Sequence, residues 1–196
     1  MKVAAIQMVS SARLADNLAR AGELIAEAAR GGAELVVLPE YFCLLGQRDT
    51  DKLAIQERFG HGPIQQFLEM AAREHGVWLV GGTLPMTVED CHGAESTGRV
   101  FNSSLAFAPD GRCVARYDKM HLFRFDNGTE RYDEARVLQA GALPQMFELP
   151  SRDGHVWRVG LSVCYDLRFA ELYRHYAAQG ADLLLVPSAF TFGTGQ

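Results

Sequence analysis

Long apolar runs and clusters of positive charge are both missing from this chain of 196 residues. A membrane-spanning helix needs about 20 consecutive apolar residues, and no segment approaches that length. The 24 Asp and Glu residues outnumber the 19 Lys and Arg residues, and the formal net charge of -5 indicates no basic surface of the kind that attracts nucleic acid or anionic lipid. We therefore expect neither a nucleic acid nor a membrane as a partner.

Motifs for metals and cofactors are missing as well. The six histidines form no H-E-x-x-H pattern, and the adjacent pair Cys91 and His92 projects poorly for joint coordination in regular structure. No glycine-rich fingerprint follows the first apolar segment, so nucleotide binding lacks support. The sequence predicts neither a metal ion nor an organic cofactor.

Cysteine is sparse and scattered, without a C-x-x-C pair or the dense framework of small secreted domains. The apolar start of the chain, Met1 to Met8, is too short for a signal peptide and is predicted to be a strand. We therefore expect reduced thiols and a cytoplasmic location. No linker, repeat or low-complexity stretch divides the chain, and residues 1–196 are predicted to form a single domain. The four cysteines are Cys43, Cys91, Cys113 and Cys164.

Helix-type and strand-type patterns alternate along the chain. Apolar residues at helical spacing predict helices over Leu14 to Arg30 and Pro63 to His75, each followed by glycine. Such helices must cover the faces of the strands, which predicts a layered α/β domain. Short apolar runs predict strands at Glu34 to Pro39, Val77 to Val80, Val100 to Ala108, Arg112 to Tyr117 and Asp182 to Pro187.

Three reactive side chains each follow a predicted strand: Glu40, Lys119 and Cys164. Cys164 lies where an apolar strand ends and a helix is expected to begin, so its thiolate would sit near backbone N–H groups at the positive end of a helix dipole. An isolated cysteine beside a strand is more often a small buried hydrophobic residue. The joint placement of a carboxylate, an ammonium and a thiol at strand ends favours a thiol enzyme instead.

These segments resemble the nitrilase superfamily of carbon-nitrogen hydrolases. The matches are L-P-E at 38–40, Y-D-K-M-H-L-F at 117–123 and V-C-Y-D-L-R-F at 163–169, supported by F-N-S-S at 101–104 and P-S-A-F at 187–190. The resemblance extends over essentially the whole chain. It implies an α-β-β-α sandwich with a Glu-Lys-Cys triad. Members usually continue past the P-S-A-F segment, so the domain is expected to lack the usual C-terminal portion.

The chemistry of amide hydrolysis assigns a role to each member of the triad. Cys164 would attack the carbonyl and form a thioester, and Glu40 would carry the proton from thiol to leaving group and later activate water. Lys119 and the backbone N–H of Tyr165 would hold the oxyanion of the tetrahedral intermediate. The resemblance adds Glu134 as a second glutamate that orients the lysine and the substrate amide, with Asp133 as a competitor because the match through this segment is loose.

Other residues near the motifs have less settled roles. Asp166 and Arg168 are expected either to form an ion pair that locks the turn after the nucleophile or to contact substrate. Phe190 and Thr191 are candidate pocket walls. In a rival mechanism, His121 or His155 would pair with Cys164 as the base, although no third orienting group can be located for such a pair.

The motifs look most like the Nit-type branch of the superfamily. P-S-A-F favours a deaminated-glutathione amidase, whereas R-F-A-E-L favours an ω-amidase of α-keto acid amides. Both readings imply cysteine-dependent hydrolysis of a small carboxylate-bearing primary amide with release of ammonia. The resemblance also implies a homodimer or higher homo-oligomer formed through helices near the cysteine. The alternative of another class is a non-catalytic interaction module derived from such an enzyme.

Overall fold

The structure is a computed structural model that describes residues 1–89, 95–129 and 131–190. In these ranges the chain forms three α-helices, which are α1 Leu14–Arg30, α2 Pro63–His75 and α3 Ala170–Ala178. The strands are β1 Val3–Ala5, β2 Leu35–Val37, β3 Trp78–Val80, β4 Leu84–Glu89, β5 Glu95–Phe107, β6 Cys113–Asp118, β7 Arg124–Asp126, β8 Arg131–Asp133, β9 Leu138–Gln139, β10 Gln145–Pro150, β11 Val156–Leu161 and β12 Leu183–Leu185.

The larger sheet has the long strand β5 near its centre. Strands β1, β2 and β3 run parallel, and β3 then pairs antiparallel with β5. β4 and β6 pair antiparallel with β5, and β9 pairs parallel with it. A smaller sheet has the order β10-β11-β12, and β7 and β8 form a separate hairpin. The two larger sheets bring the ends of β2, β6 and β11 to the functional site.

The two sheets pack face to face because side chains alternate along their strands. On β2, Val36 packs in the core that includes α1 and α2, whereas Leu35 packs in the core shared with the smaller sheet. On the far face of the smaller sheet, Leu172 and Tyr176 of α3 complete this second core. Each fully buried side chain of this kind contributes about 1.5–3 kcal/mol. The order of layers is helix, sheet, sheet, helix, so the predicted α-β-β-α sandwich is confirmed.

Helices α1 and α2 have the bounds that the apolar spacing predicted, and the helical segment expected after Cys164 begins as a 3-10 turn. Cys164–Arg168 form a 3-10 turn, and α3 begins only at Ala170. Two hydrogen bonds between Val163 and Asp166 close this turn. The Val163 N–H donates to Asp166 Oδ2 (2.9 Å), and the Asp166 N–H donates to the Val163 carbonyl (3.0 Å). A helical segment therefore begins at Cys164 as predicted, but its first turn is a 3-10 turn and the α-helix starts only at Ala170.

Gly82 lets the main chain pass close to the strand end that carries Glu40. It has φ +49, and a Cβ at this position would lie 1.9 Å from the Pro39 carbonyl oxygen. Gly76, at the C-terminus of α2, has a similar φ of +59 but no heavy atom within 4 Å of the same point. The two glycines thus share a backbone conformation and differ in the space around it.

We predict that Gly82→Ala destabilises the fold far more than Gly76→Ala. The left-handed backbone costs an alanine about 1–2 kcal/mol at either position, and the clash with Pro39 should bring the total at Gly82 above about 3 kcal/mol. Urea denaturation of the two variants measures the difference. Equal losses in the two variants would show that the approach to Pro39 imposes no constraint.

Candidate functional site

Three chain segments bring the predicted triad together between the two sheets. Glu40 lies three residues beyond β2, Lys119 directly follows β6, and Cys164 lies three residues beyond β11. Backbone hydrogen bonds hold two of these ends in place, from the Lys119 N–H to the Asn102 carbonyl and from the Cys164 N–H to the Pro187 carbonyl, both at 3.0 Å. All three side chains line one cavity of about 290 Å³.

Lys119 is a buried cation held between two carboxylates. Its side chain is 1% exposed, and Nζ lies 3.0 Å from Glu40 Oε1 and 3.0 Å from both oxygens of Glu134. Burial lowers the pKa of the Lys119 ammonium, but the negative charges of Glu40 and Glu134 outweigh that effect and hold the pKa above its usual range. Lys119 is therefore charged at neutral pH and fixed in position.

Glu40 is as tightly held as the lysine. One oxygen, Oε1, accepts hydrogen bonds from Lys119 Nζ and from Asn102 Nδ2, each at 3.0 Å. The other, Oε2, accepts the backbone N–H of Ala189 at 3.0 Å. Because Ala189 belongs to the P-S-A-F segment after β12, this last bond ties the carboxylate to the smaller sheet that carries Cys164.

Cys164 has a strained backbone and a protonated side chain. Its φ of +48 lies in the left-handed region, which costs a residue other than glycine about 1–2 kcal/mol. Burial and the negative charge of Glu40 raise the pKa of the thiol to about 12, although Lys119 and the Ala189 N–H act in the opposite direction. The expectation of a thiolate favoured by a helix dipole is wrong, since α3 begins six residues later and the thiol is neutral at pH 7.

Asp166 holds the turn after the cysteine through a tyrosine hydroxyl, two backbone N–H groups and a histidine ring. Its fully buried carboxylate accepts the Tyr117 hydroxyl (2.7 Å), the His121 N–H (2.9 Å) and the Val163 N–H (2.9 Å), and it lies 2.7 Å from His121 Nδ1. Arg168 is exposed and lines the cavity instead. The expected ion pair between Asp166 and Arg168 is therefore absent among the described residues.

The histidines predicted as rival bases lie away from the cavity. His121 is stacked on Phe169 with ring centroids 3.7 Å apart, and its Nδ1 is engaged by Asp166. His155 precedes β11 and packs edge-on against Trp157, at the opposite end of the strand from Cys164. Neither residue lines the cavity that contains the thiol.

Glu134 enters the site from the segment after the β7–β8 hairpin. Its Oε2 accepts the Phe123 N–H at 2.7 Å, and the Glu134 N–H donates to the Phe123 carbonyl at 3.0 Å. Asp133, its competitor in the sequence, pairs with Arg124 in the hairpin register. Glu134 is thus the acidic residue of this pair that contacts Lys119.

The remaining predicted residues form the walls and mouth of the cavity. Tyr165 and Phe190 line it together with Arg124 and Arg168. Tyr165 is the second residue of the 3-10 turn, where a backbone N–H has no acceptor within the turn. Thr191, also predicted as a pocket wall, lies outside the described residues.

Sequence reasoning missed three groups that hold the carboxylates. Asn102 is 2% exposed and donates to Glu40, and its only signal was its place in F-N-S-S. Tyr41 directly follows Glu40, has φ +57 and donates its hydroxyl to Glu134 Oε1 at 3.1 Å. The third is the Ala189 N–H, and a backbone donor leaves no signal in the residue types.

Three further findings concern metal ions, membrane spans and disulfides. Within residues 1–89, 95–129 and 131–190, no group of three or more His, Cys, Asp or Glu side chains is arranged to hold a metal ion. No helix in the described part of the chain has the length and apolar character needed to cross a membrane. The three cysteines in these ranges are free thiols, and Cys91 lies outside them.

A larger groove of about 860 Å³ lies between the start of α2 and the turn from β5 to β6. Its charged side chains pair with one another, Arg73 with Glu69 at 2.6 Å and Arg112 with Asp110 at 3.8 Å. Burial raises the pKa of the Cys113 thiol in this groove to about 11. The groove therefore has a protonated thiol without a neighbouring carboxylate–lysine pair, and the smaller cavity is the candidate active site.

Comparison with known proteins places the whole chain in one group. Residues 2–196 match the carbon-nitrogen hydrolase family. A deaminated glutathione amidase of Synechocystis is 40% identical over 195 residues, which cover 98% of this chain and 68% of that protein. An omega-amidase of Homo sapiens is 37% identical over 196 residues, which cover 99% of this chain and 65% of that protein. The chain thus spans about two thirds of the length of these relatives.

Solved structures agree with this grouping. A branch 10 member of the nitrilase superfamily from Saccharomyces cerevisiae has 30% identity and a TM-score of 0.79, covering 100% of this chain and 66% of that chain. An amidase from Nesterenkonia has 26% identity and a TM-score of 0.75, covering 97% of this chain and 65% of that chain. The similarity extends over the same layered architecture.

We predict that Cys164 gives no thiolate absorbance at neutral pH. Its pKa is raised to about 12, so fewer than about one molecule in a hundred should carry the thiolate at pH 9. The measurement is the ultraviolet thiolate absorbance of the wild type minus that of Cys164→Ala, titrated from neutral to mildly alkaline pH. Cys113→Ala is the matched control because burial also raises the pKa of that thiol. A full thiolate signal specific to Cys164 at neutral pH would contradict this assignment.

Proposed function

The chain belongs to the carbon-nitrogen hydrolase family, and on that premise we propose that it hydrolyses the amide of a small carboxylate-bearing substrate through a thioester on Cys164. The observation that carries the proposal is the buried Lys119, held 3.0 Å from both Glu40 and Glu134 in the cavity that contains the thiol. Around this one small cavity, Glu40 supplies a proton acceptor, Lys119 a fixed positive charge and Cys164 a nucleophile.

In the first half-reaction, Glu40 takes the proton of Cys164 as the sulfur attacks the amide carbonyl carbon. The raised pKa of the thiol makes this base necessary, since little thiolate exists beforehand. The carbonyl π bond opens to an oxyanion. Glu40 then gives the proton to the amide nitrogen, the carbon–nitrogen bond breaks, and the amine departs while the acyl group stays on sulfur.

In the second half-reaction, water replaces the amine and the same carboxylate acts again. Glu40 removes a proton from the water as its oxygen attacks the thioester carbonyl, and the carbon–sulfur bond then breaks. The proton returns to the departing sulfur, which regenerates the neutral thiol and frees the carboxylic acid. One carboxyl group serves both halves because each half begins and ends with Glu40 ionised.

Lys119 and the Tyr165 N–H are proposed to hold the oxyanion in both halves. Lys119 cannot act as a base while its pKa is held above the usual range, but it can stay cationic in a water-poor site. Removing one such donor typically costs about 3–4 kcal/mol of transition-state stabilisation. Glu134 is proposed to accept an N–H of the substrate amide and to keep Lys119 in place.

The cavity mouth favours an anionic substrate. Arg124 and Arg168 line it, and their guanidinium groups suit a carboxylate at the far end of a short chain. The aromatic rings of Phe123, Tyr165 and Phe190 line the same small space and leave little room beyond such a chain. We propose a deaminated-glutathione amidase-like activity first, with ω-amidase activity as the alternative.

The leaving group separates these two substrates. Deaminated glutathione carries its amide on the nitrogen of a cysteinylglycine unit, so its hydrolysis would release the dipeptide. α-Ketoglutaramate has an unsubstituted amide and would release ammonia. The prediction that both substrates release ammonia therefore holds for this second substrate alone. Comparing kcat/KM for dipeptide release and ammonia release ranks the two. Hydrolysis of neither substrate by folded protein would favour the interaction module instead.

Several expectations stay predictions. A cytoplasmic location and a single domain over residues 1–196 rest on sequence pattern. Two exposed apolar side chains support self-association near the cysteine. Leu167, three residues after Cys164, is 51% exposed, and Leu184 on β12 is 39% exposed. Exposed large apolar side chains of this kind suit a partner copy.

We predict that Glu40→Gln lowers the rate of thioester formation by at least about a thousandfold, because it removes the proton acceptor from a thiol that is protonated at rest. His121→Ala should lower the same rate by no more than about tenfold, since His121 acts only through the turn that Asp166 holds. Single-turnover mass spectrometry of the acyl-enzyme measures both rates, with Cys164→Ala as the unlabelled reference. Equal losses would make His121 the base.

We predict that Arg168→Met raises KM for a carboxylate-bearing amide by about tenfold or more, because it removes a charge-assisted hydrogen-bond donor. Neither kcat for that substrate nor kcat/KM for the neutral amide butyramide should change by more than about twofold. Arg174→Met, an exposed arginine on α3 that does not line the cavity, is the matched control. A parallel loss on both substrates would remove Arg168 from carboxylate recognition.

A further inference from the structure

Tyr41 has a backbone conformation that its residue type disfavours. Its φ of +57 is left-handed, and it is one of two non-glycine residues with positive φ in the described chain, the other being Cys164. The Tyr41 N–H donates to Thr83 Oγ1 at 2.9 Å, which holds this turn directly after Glu40. Strain of this kind persists where the surroundings enforce it, commonly at functional sites.

The aromatic ring of Tyr41 contacts Lys52, which does not line the cavity, and Tyr41 itself lines the cavity. Lys52 places Nζ 4.4 Å from the ring centroid, as in a cation–π contact, and Tyr41 lines the cavity beside Lys119 and Cys164. The pKa of the Tyr41 hydroxyl is raised well above its usual value by burial and by the charges of Glu40 and Glu134. The hydroxyl therefore keeps its proton and acts as a donor.

Each oxygen of Glu134 receives one neutral donor in addition to Lys119. The Tyr41 hydroxyl donates to Oε1 at 3.1 Å, and the Phe123 N–H donates to Oε2 at 2.7 Å. These two donors approach from different segments of the chain, so together they fix the plane of the carboxylate. Without the hydroxyl, Oε1 would keep Lys119 as its partner, and one of the two neutral donors that fix the plane of the carboxylate would be lost.

We propose that Tyr41 is a positioning residue for substrate, which holds Glu134 oriented to accept the amide N–H and thereby sets which amides reach Cys164. The inference rests on the proposed function, in which Glu134 contacts the substrate amide. It assigns the hydroxyl, rather than the ring, to amide recognition. The strain at φ +57 is what turns the side chain of the residue after Glu40 toward Glu134.

A test that does not require turnover uses alkylation of Cys164. Iodoacetamide carries a primary amide, and the sulfur displaces iodide while Glu40 accepts the thiol proton. Methyl methanethiosulfonate reacts with the same sulfur but has no amide. Mass spectrometry of the Cys164 peptide gives both rates for the wild type, Tyr41→Phe, Glu134→Gln and the double variant. The ratio of the two rates isolates recognition of the amide from reactivity of the thiol.

Tyr41→Phe should lower the iodoacetamide rate by about tenfold and change the methyl methanethiosulfonate rate by less than about twofold. On the Glu134→Gln background, the same substitution should have less than about a twofold effect, because the partner of the hydroxyl has been changed. Glu134→Asp, which withdraws the carboxylate by one methylene, should reproduce the loss. With an active wild type, kcat should follow the iodoacetamide rate.

Tyr173→Phe is the matched control, since its hydroxyl bonds to Ser162 at 2.9 Å and does not line the cavity. It should leave the rate ratio unchanged, and the melting temperature of each variant reports whether folding is intact. The proposal is overturned if Tyr41→Phe behaves as Tyr173→Phe does, or if its tenfold loss persists on the Glu134→Gln background. A wild type that hydrolyses no amide would sink the proposed function but leave this labelling result interpretable.

Discussion

The site depends on one buried cation. Lys119 is 1% exposed and contacts carboxylates from two other segments, Glu40 after β2 and Glu134 after the β7–β8 hairpin. Removing charges from water costs several kcal/mol for each ion, and their mutual attraction repays this only with good geometry and further hydrogen bonds. Those bonds come from four neutral donors, which are Asn102, Ala189, Tyr41 and Phe123. The buried charges therefore depend on these donors.

Burial and the neighbouring charges decide the resting state of the Cys164 thiol. Burial and the negative charge of Glu40 disfavour a thiolate at Cys164, and together they outweigh the opposite effect of the positive charge of Lys119. A sulfur kept as the neutral thiol is less exposed to side reactions, because the thiolate is the reactive form.

The side chains that follow the strands could be predicted from sequence, whereas the hydrogen-bond donors that hold them in position could not. Glu40, Lys119 and Cys164 each follow an apolar run, and the carboxyl ends of such runs meet in a layered α/β fold. Tyr41 gave no periodic signal, since its importance comes from a left-handed φ. The type of the first helical turn after Cys164 could not be predicted, because residue types do not show that Asp166 would accept the Val163 N–H and form a 3-10 turn.

Asp166 shows how the two sheets are kept in register at the site. Its carboxylate bonds to Tyr117 and His121 on either side of Lys119, and also to Val163 before Cys164. The Ala189 N–H makes a second link, from the segment after β12 to Glu40. A shift of one sheet relative to the other would break both links at once, each in a buried setting where an unpaired polar group costs about 1–3 kcal/mol. The distances among Glu40, Lys119 and Cys164 are thus fixed by the packing of the layers, so the geometry of the site depends on the core.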